Sequence, residues 1–133
     1  MTVALTQSGQ TASVASIRDH TIVMDRPATQ GGSGAGPMGG ETFLASVGGC
    51  FMSTLYAAAA ARSIPVEGAR CRVSGSFAAS PRRFAAIHIE VTCESCPPAD
   101  LEHLVAVAER GCLVVATLRQ GMKVVASVAV RQG

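Results

Sequence analysis

Aromatic and charged side chains are scarce in this sequence. Its 133 residues include no Trp, one Tyr and four Phe, and Asp, Glu, Lys and Arg together make up 15% of the chain. Proteins that hold single-stranded nucleic acid use aromatic platforms for the bases, and a phosphate-binding face needs clustered basic residues. The formal net charge is only +2. We therefore expect no nucleic-acid partner.

A signal peptide is also lacking at the start of the sequence. The first residues, MTVALTQSGQ, have neither a basic start nor a long apolar run. The cysteines number five, and an odd count without an export signal argues against a framework of structural disulfides. We expect a cytoplasmic protein, folded as a single domain over residues 1–133, whose reduced thiols differ in reactivity.

Residues 41–61, ETFLASVGGCFMSTLYAAAAA, predict the helix around which the chain is organised. Apolar residues recur there at spacings of three and four, as on one face of a helix: Phe43, Leu44, Val47, Phe51 and Leu55. Cys50 lies at the edge of this face, where its thiol is shielded from water. Gly48 and Gly49 weaken the helix and indicate that another backbone comes close. We interpret the helix as the buried centre of the fold and Cys50 as its reactive residue.

The same segment is nearly long enough to cross a membrane. Residues 43–61 carry no charge, and a span needs roughly 20 apolar residues. Many of these residues are Gly or Ala, however, and Ser46, Ser53 and Thr54 are polar. This weak hydrophobicity favours a helix packed inside a protein, so we expect no membrane partner.

Strands are predicted on both sides of the central helix. Segments rich in Val, Ile and Thr form two hairpins, and the first hairpin turns at Arg18. Two helical pieces and a strand of alternating valines follow. The first hairpin covers residues 11–17 and 21–25, and the second covers 66–77 and 83–92. The two helical pieces cover 99–110 and 113–118, and the last strand covers 122–130. The order ββ-α-ββ-α-β indicates an α+β fold.

Residues 31–40, GGSGAGPMGG, contain six glycines and predict a loop before the central helix. Gly34, Gly36 and Gly39 satisfy the dinucleotide-binding pattern G-x-G-x-x-G. The preceding strand ends near Asp25, however, and no acidic residue stands about 20 positions later, as that site requires. We therefore expect no nucleotide cofactor and a loop that turns the chain into the helix.

A second cysteine motif, C-x-x-C, occurs at Cys93 and Cys96. Pro97 and Pro98 follow and can begin a helix. Such a pair can act in redox chemistry or bind metal, although a closed zinc site needs two more ligands in matching spacing, and no second pair is present. The alternative is a strand-to-helix connection with incidental thiols.

Three stretches resemble the OsmC/Ohr family, peroxide-reducing proteins with two active cysteines. They are DRPATQGGSGAGPMGGETFLASVGGCF, ARSIPVEGARCRVSG and LVAVAERGCLVVATLRQGMKVVASV, and the likeness extends over nearly the whole chain. Its most specific parts are a Gly/Pro loop leading into a helix with a central Cys, I-P-V-E-G after that helix, and a late Cys followed by T-L-R-x-G.

The resemblance implies an intertwined homodimer of α+β subunits around two crossing central helices, with active sites at the interface. It implies reduction of organic hydroperoxides without haem, flavin, metal or another cofactor. By position, Cys50 corresponds to the peroxidatic cysteine and Cys112 to the resolving cysteine. Arg18 corresponds to the family's thiolate-activating arginine.

The sequence departs from the family pattern in two places. The best-studied branch has Pro and Glu eleven and ten residues before the first Cys, where this chain has Gly39 and Gly40. The nearest acid is Glu41, which on a continuous helix would lie nearly opposite Cys50. Glu41 is a candidate catalytic residue if the helix breaks or if it serves the other subunit's site, and otherwise stabilises the helix start. The late Cys is followed by Leu113 in place of Pro.

These residues predict a thiol peroxidase mechanism. Burial raises the pKa of a thiol, so a guanidinium such as that of Arg18 would be needed to keep Cys50 ionised. The thiolate would attack the peroxide and become a sulfenic acid, and Cys112 would condense with it to a disulfide that an external dithiol of lipoyl or thioredoxin type reduces. An apolar wall would favour organic peroxides, and its predicted members are Phe43, Val47, Phe51 and Met52.

Two other functions stay open at this level. Cysteine is among the most buried residue types, so the thiols could be core residues of a dimer that binds a small apolar ligand. Cys93 and Cys96 could instead bind zinc in a metal-linked regulator. The peroxidase hypothesis also carries a geometric condition, because Cys50 and Cys112 can form a disulfide only if their Cα atoms come within about 7 Å.

Overall fold

The computed structural model describes residues 1–129 and has an α+β fold, as predicted. The described chain forms two compact units, one made of residues 1–49 and 71–90 and the other of residues 50–70 and 91–129. The elements in order are β1 (Ala4–Ser8), β2 (Ala12–Ile17), β3 (His20–Met24), a short 3₁₀ helix (Ala28–Gln30), α1 (Gly39–Ala61), β4 (Arg70–Ala78), β5 (Arg83–Thr92), α2 (Pro98–Gly111) and α3 (Leu113–Gln120).

The first sheet has the order β1-β2-β3, with antiparallel neighbours. The predicted hairpin is confirmed as β2 and β3, which pair Ile17 with His20 across a two-residue turn of Arg18 and Asp19. Strand β1 was not predicted. All five of its residues are exposed, so the strand has no buried face. The alternation of buried apolar and exposed polar residues that marks a half-buried strand is therefore missing. Its place in the sheet is given by its ladder with β2.

The glycine-rich loop is held by the carboxylate of Asp25, which is 5% exposed. The Asp25 carboxylate accepts backbone N–H bonds from Arg26 at 2.7 Å and from Ser33 and Ala35 at 3.1 Å. Burial acts to raise the pKa of Asp25, but these hydrogen bonds and one from Thr11 outweigh it and lower the pKa. The loop therefore binds the chain's own carboxylate, as expected for a structural turn into α1.

Glycine is required in this loop because the loop packs closely on the end of β3. A Cβ atom at Gly36 would lie 2.3 Å from the carbonyl oxygen of Val23, and one at Gly32 would lie 2.0 Å from the carbonyl oxygen of Arg26. Real Cβ atoms essentially never come so close to a backbone atom. Of the three glycines that satisfy G-x-G-x-x-G, Gly36 thus serves the packing of the loop, and Gly34 has a positive φ of 68°.

Helix α1 is continuous over its whole length and forms much of the core. Val47 and Leu55 are fully buried, and Phe51 is 2% exposed. By length and composition alone α1 could cross a bilayer, but a core helix of a soluble protein passes the same test. A Cβ atom at Gly48 would lie 2.9 Å from Cγ2 of Val73 in β4. The close neighbour expected at this glycine is therefore a side chain and not a backbone.

Helices α2 and α3 pack with the second half of α1 in the second unit. The core there includes apolar side chains with exposures of 8% or less, among them Phe51, Leu55, Leu104, Ala108, Cys112 and Val115. Arg119 of α3 forms an ion pair with Glu109 of α2. The two helices are separated by a single residue, Cys112, whose backbone is extended with φ −76° and ψ 120°.

The strand predicted over 122–130 is not formed in the part of the chain that the structure describes. Residues 122–129 have no assigned strand and are all exposed, and residue 130 lies outside the described range. A strand requires a neighbour that takes up its backbone hydrogen bonds, and within residues 1–129 the two sheets are β1-β2-β3 and β4-β5. The alternating valines of residues 122–129 therefore have no such neighbour among the described residues.

Candidate functional site

Two cysteines that are 62 positions apart in the sequence meet in the second unit. The thiol of Cys112 donates a hydrogen bond to Cys50, with 3.4 Å between the two Sγ atoms. A disulfide bond is about 2.05 Å long, so the sulfurs need to approach by only about 1.4 Å to be joined. All five cysteines are free in this structure. The pair is thus a reduced dithiol in position to become a disulfide.

Cys50 is located in the middle of α1, where it faces the junction of α2 and α3. Thr54, one turn later, donates its hydroxyl to the carbonyl oxygen of Cys50 at 2.9 Å. The methyl group of Thr54 lies 3.4 Å from the position that a Cβ atom at Gly111 would take. The small residue before Cys112 therefore allows the end of α2 to approach α1 and brings the two sulfurs together. Cys50 is half-buried, whereas Cys112 is fully buried.

Cys112 is fully buried and precedes the first residue of α3. Burial raises the pKa of the Cys112 thiol, and its hydrogen bond to Cys50 acts in the same direction. Backbone N–H groups of Val115 and Val114 favour the thiolate but do not outweigh burial. Cys112 is therefore kept as a thiol, and its S–H group points at the sulfur of the more accessible Cys50.

Arg18 belongs to the first unit, on the turn between β2 and β3. Its side chain is exposed, and its backbone has φ of 55°. Two-residue hairpin turns with positive φ at the first position prefer glycine there. An arginine in this conformation costs of order 1 kcal/mol, and such strain is often retained for function.

Glu41 is located in the first turn of α1. Its carboxylate accepts the backbone N–H of Met38 at 2.9 Å, which is the backward half of a capping box. Because α1 is unbroken, no break brings Glu41 toward Cys50. Its structural position is that of a helix-start residue.

The four residues predicted to form an apolar wall differ in exposure. Val47, Phe51 and Met52 are buried at 0%, 2% and 9% exposure. Phe43 is half-buried and stacks on Phe84 of β5, with 5.6 Å between the ring centroids. Three of the four thus pack in the core of the chain.

Sequence reasoning missed the residues that shape the cysteine pair. Thr54 and Gly111 bring α1 and α2 together, and the backbone N–H groups of Val114 and Val115 point at the Cys112 sulfur. The one available signal was the glycine that ends the apolar stripe of α2 immediately before a cysteine. Backbone N–H groups at a helix start leave no mark in the residue types.

The comparison with protein families matches the OsmC-like protein family over residues 31–127. The chain belongs to the OsmC-like protein family. The match includes the glycine-rich loop, both cysteines of the pair and all three α-helices. A comparison with curated proteins gives no match.

Solved structures share the OsmC-like fold. A Psychrobacter arcticus protein, for which a role in osmotic stress and detoxification has been suggested, superposes with a TM-score of 0.77 at 21% identity, over 88% of this chain and 87% of its own. An organic hydroperoxide resistance protein OsmC from Legionella pneumophila gives 0.64 at 22% identity, over 90% of each chain. The organic hydroperoxide resistance protein OhrB of Bacillus subtilis gives 0.66 at 19% identity, over 88% of this chain and 90% of its own.

Proposed function

We propose that this chain is a thiol-dependent peroxidase that reduces organic hydroperoxides. The observation that carries the proposal is the 3.4 Å contact between Cys50 and Cys112. One sulfur is half-buried and accepts a hydrogen bond, and the other is buried and protonated. Membership of the OsmC-like family and similarity to two organic hydroperoxide resistance proteins support the choice of substrate class.

Cys50 is the peroxidatic residue in this mechanism. Its thiolate attacks the distal oxygen of R–O–OH, the O–O bond breaks, and the alkoxide takes a proton to leave as an alcohol. The product at the protein is a Cys50 sulfenic acid. The S–H group of Cys112 donates a hydrogen bond to the Cys50 sulfur and holds the two sulfurs in contact.

Cys112 is the resolving residue. Its thiol condenses with the sulfenic acid of Cys50, an S–S bond forms, and the sulfenic oxygen leaves as water. The backbone N–H groups of Val114 and Val115 favour the thiolate that Cys112 must become for this step. An external dithiol of lipoyl or thioredoxin type then reduces the disulfide by two exchange steps and leaves as its own disulfide.

Arg18 is proposed to supply the positive charge for the thiolate and for the peroxide oxygens. A guanidinium is charged at any physiological pH and can donate two hydrogen bonds in a plane. The strained backbone at Arg18 is consistent with a side chain that is kept for function. Glu41 is the further catalytic candidate, and its carboxylate would orient the guanidinium if it serves the site of the other subunit.

Phe43, Val47, Phe51 and Met52 are proposed to provide the apolar surroundings in which a carbon-bearing peroxide is preferred. Phe43 is the one half-buried member of the group, so a movement of this single side chain would expose its ring. We expect no cofactor to take part, because two thiols supply both electrons for the reduction of one peroxide bond.

A homodimer is part of the proposal. The described chain exposes several large apolar side chains, which a partner subunit would cover: Tyr56, Phe77, Leu113, Met122, Val124, Val125 and Val128. Residues 122–129 would then find a strand neighbour in the partner. The chain passes between its two units three times, so we propose that they fold as one domain. We further propose that the protein is cytoplasmic.

The experiment that tests this function is a peroxide-consumption assay with cumene hydroperoxide and a dithiol donor. Cys50→Ser is expected to lower kcat/KM by at least about 1000-fold, because no other residue in the proposed mechanism supplies the nucleophile. Cys71→Ser is the matched control, since Cys71 is a half-buried thiol outside the pair. Multiple turnover in Cys50→Ser would refute the proposal.

A cavity of about 850 Å³ in the first unit favours a second candidate, a non-catalytic dimer that binds a small apolar ligand. Its walls include Met24, Leu44, Phe77 and Phe84, together with Arg26 and Arg82. Apolar pockets with a few charged groups are common ligand sites. For this candidate, apolar carboxylates would raise the melting temperature of a protein that does not turn over peroxide, and Phe84→Ala would remove the rise.

A further inference from the structure

The C-x-x-C motif, which the proposed peroxidase does not use, folds into a turn with one cysteine at each end. Cys93 follows β5, Glu94 and Ser95 form the turn, and Cys96 precedes α2. The Cα atoms at the two ends of a β-turn lie within about 7 Å of each other, and disulfides join Cα atoms that are about 4.4–6.8 Å apart. The local backbone thus has the span that a disulfide requires.

A network of hydrogen bonds surrounds the first thiol. Cys93 Sγ lies 3.2 Å from Ser95 Oγ and donates to the carbonyl oxygen of Glu67 at 3.3 Å. Ser95 Oγ donates to the same carbonyl at 3.0 Å and accepts the N–H of Glu67 at 3.0 Å. The loop after α1 therefore fixes the serine hydroxyl beside the sulfur.

The serine hydroxyl can follow the ionisation of Cys93. As a thiol, Cys93 gives its own hydrogen to Glu67, and the hydrogen of Ser95 also goes to that carbonyl. When Cys93 loses its proton, the Ser95 hydroxyl can rotate and donate its single hydrogen to the thiolate over the same 3.2 Å. The hydrogen bond from Ser95 is the main cause that lowers the pKa of Cys93.

The second thiol of the motif differs from the first in its burial and in the direction of its pKa shift. Cys96 is 5% exposed. Burial raises its pKa, and the charges of Cys93 and Asp100 act in the same direction. A more accessible thiol with hydrogen-bond donors beside a buried, protonated thiol is the arrangement in which one sulfur attacks a disulfide and the other resolves the mixed intermediate.

Metal binding fits the donor set less well. Among residues 1–129, no group of three or more His, Cys, Asp and Glu side chains is placed to hold a metal ion. A structural zinc site needs four ligands, and this turn provides two thiols. The neighbours of Cys93 are a peptide carbonyl, which accepts from the thiol form, and the Ser95 hydroxyl, which can donate to the thiolate.

We propose that Cys93 and Cys96 form a second redox site, which exchanges with disulfides of small thiols or exposed protein disulfides. The Cys93 thiolate attacks RS–SR, a Cys93–S–SR bond forms, and RS⁻ leaves. Cys96 gives its proton to this RS⁻, and its thiolate attacks Cys93 Sγ. A Cys93–Cys96 disulfide forms, and a second RS⁻ leaves. Two electrons pass from the dithiol to the disulfide substrate.

The test uses full-length protein with Cys50→Ser and Cys112→Ser, so its outcome is independent of the peroxidase function. This protein is equilibrated with glutathione and glutathione disulfide at a series of ratios, and free thiols are then alkylated and mapped by mass spectrometry. We expect the Cys93–Cys96 disulfide to appear over one midpoint, with Cys71 still alkylated. Absence of this disulfide at the most oxidising ratio would overturn the proposal, as would zinc bound stoichiometrically to the purified protein.

Two further variants of the same protein test the order of the steps. Adding Cys96→Ser should leave Cys93 as a stable mixed disulfide with glutathione, whereas adding Cys93→Ser should leave Cys96 unmodified because it is buried. Equal modification of the two single thiols would contradict the assigned roles. Ser95→Ala should slow the reaction of Cys93 with glutathione disulfide by about threefold or more, because fewer thiols are ionised. Ser76→Ala, at an exposed serine of β4, is the matched control and should leave the rate unchanged.

Discussion

The two thiol pairs of this protein reach the same chemical asymmetry by different structural routes. Cys50 and Cys112 are distant in sequence and meet because α1 packs on the junction of α2 and α3. Cys93 and Cys96 are three positions apart and stand at the two ends of one turn. In each pair one sulfur is half-buried and the other is buried with a raised pKa.

This comparison shows which part of a thiol site depends on the whole fold. The turn at Cys93 needs only local backbone geometry and the Glu67 loop, so its disulfide can form whenever that region is folded. The Cys50–Cys112 contact needs three packed helices and the small residue Gly111 between them. Changes in helix packing should therefore affect the first pair and leave the second unchanged.

The largest expected difference between the pairs comes from removing the resolving thiols. Cys112→Ser should consume one equivalent of peroxide per subunit and stop at a Cys50 sulfenic acid. With a dithiol that cannot reduce this acid, the steady-state rate of peroxide turnover should fall at least about 100-fold. A sulfenic-acid probe and mass spectrometry would detect the product. Cys96→Ser is the control and should retain peroxide turnover. Full turnover in Cys112→Ser would mean that Cys112 does not resolve.

The next largest effect is expected at Arg18, where function and stability should change in opposite directions. Arg18→Gly removes the cation and relieves the positive φ of 55°, so kcat/KM should fall about 10-fold to 100-fold while the free energy of unfolding rises by about 0.5–1 kcal/mol. Peroxide turnover and urea unfolding measure the two quantities. Arg62→Gly, at the end of α1, is the control for loss of an exposed arginine. A stability gain with unchanged turnover would leave Arg18 with a structural role alone.

The sequence was informative where the chemistry lies in residue types. The hairpin of β2 and β3, the central helix, the loop before it and the two helical pieces near the end were all predicted from periodicity and turn residues. Cys50 and Cys112 were paired through family resemblance, because no local pattern reports a contact across 62 positions. The 3.4 Å distance between their sulfurs is a result of helix packing and could be learned only from the structure.

Other features could not be predicted, for physical reasons. Strand β1 has no apolar alternation because both of its faces are exposed. The valines of residues 122–129 alternate as in a strand, yet the described chain offers them no ladder partner. Glu41 is a helix-start residue by its contact with Met38, and any catalytic role would come from another subunit, which one sequence does not describe.

The pH at which each thiol is alkylated provides a third test. Hydrogen bonding lowers the pKa of Cys93, whereas burial raises the pKa of Cys96 and of Cys112. Since the thiolate is the reactive form, Cys93 should react with iodoacetamide at lower pH than Cys96 and Cys112. At pH 7 we expect its rate to exceed theirs by about tenfold or more. Mass spectrometry of each peptide gives the rates, and the opposite order would contradict the asymmetry of the second pair.

The smallest effect is expected at Gly111, where a substitution should slow the formation of only one of the two disulfides. Gly111→Ala places a Cβ atom 3.4 Å from Cγ2 of Thr54, so α1 and α2 must give way by a few tenths of an ångström. We expect formation of the Cys50–Cys112 disulfide to slow by about threefold, with no change at Cys93 and Cys96. Gly49→Ala has no neighbour within 4 Å and is the matched control. Equal slowing of both disulfides would show that the pairs are not independent.

The most direct test of the central claim is to identify which thiols join when the reduced wild-type protein meets one equivalent of cumene hydroperoxide. The protein is alkylated, digested without reductant and mapped by mass spectrometry. The mechanism predicts a Cys50–Cys112 disulfide as the first product, with Cys71, Cys93 and Cys96 alkylated. A first disulfide between Cys93 and Cys96, or oxidation that leaves Cys50 as a free thiol, would contradict it.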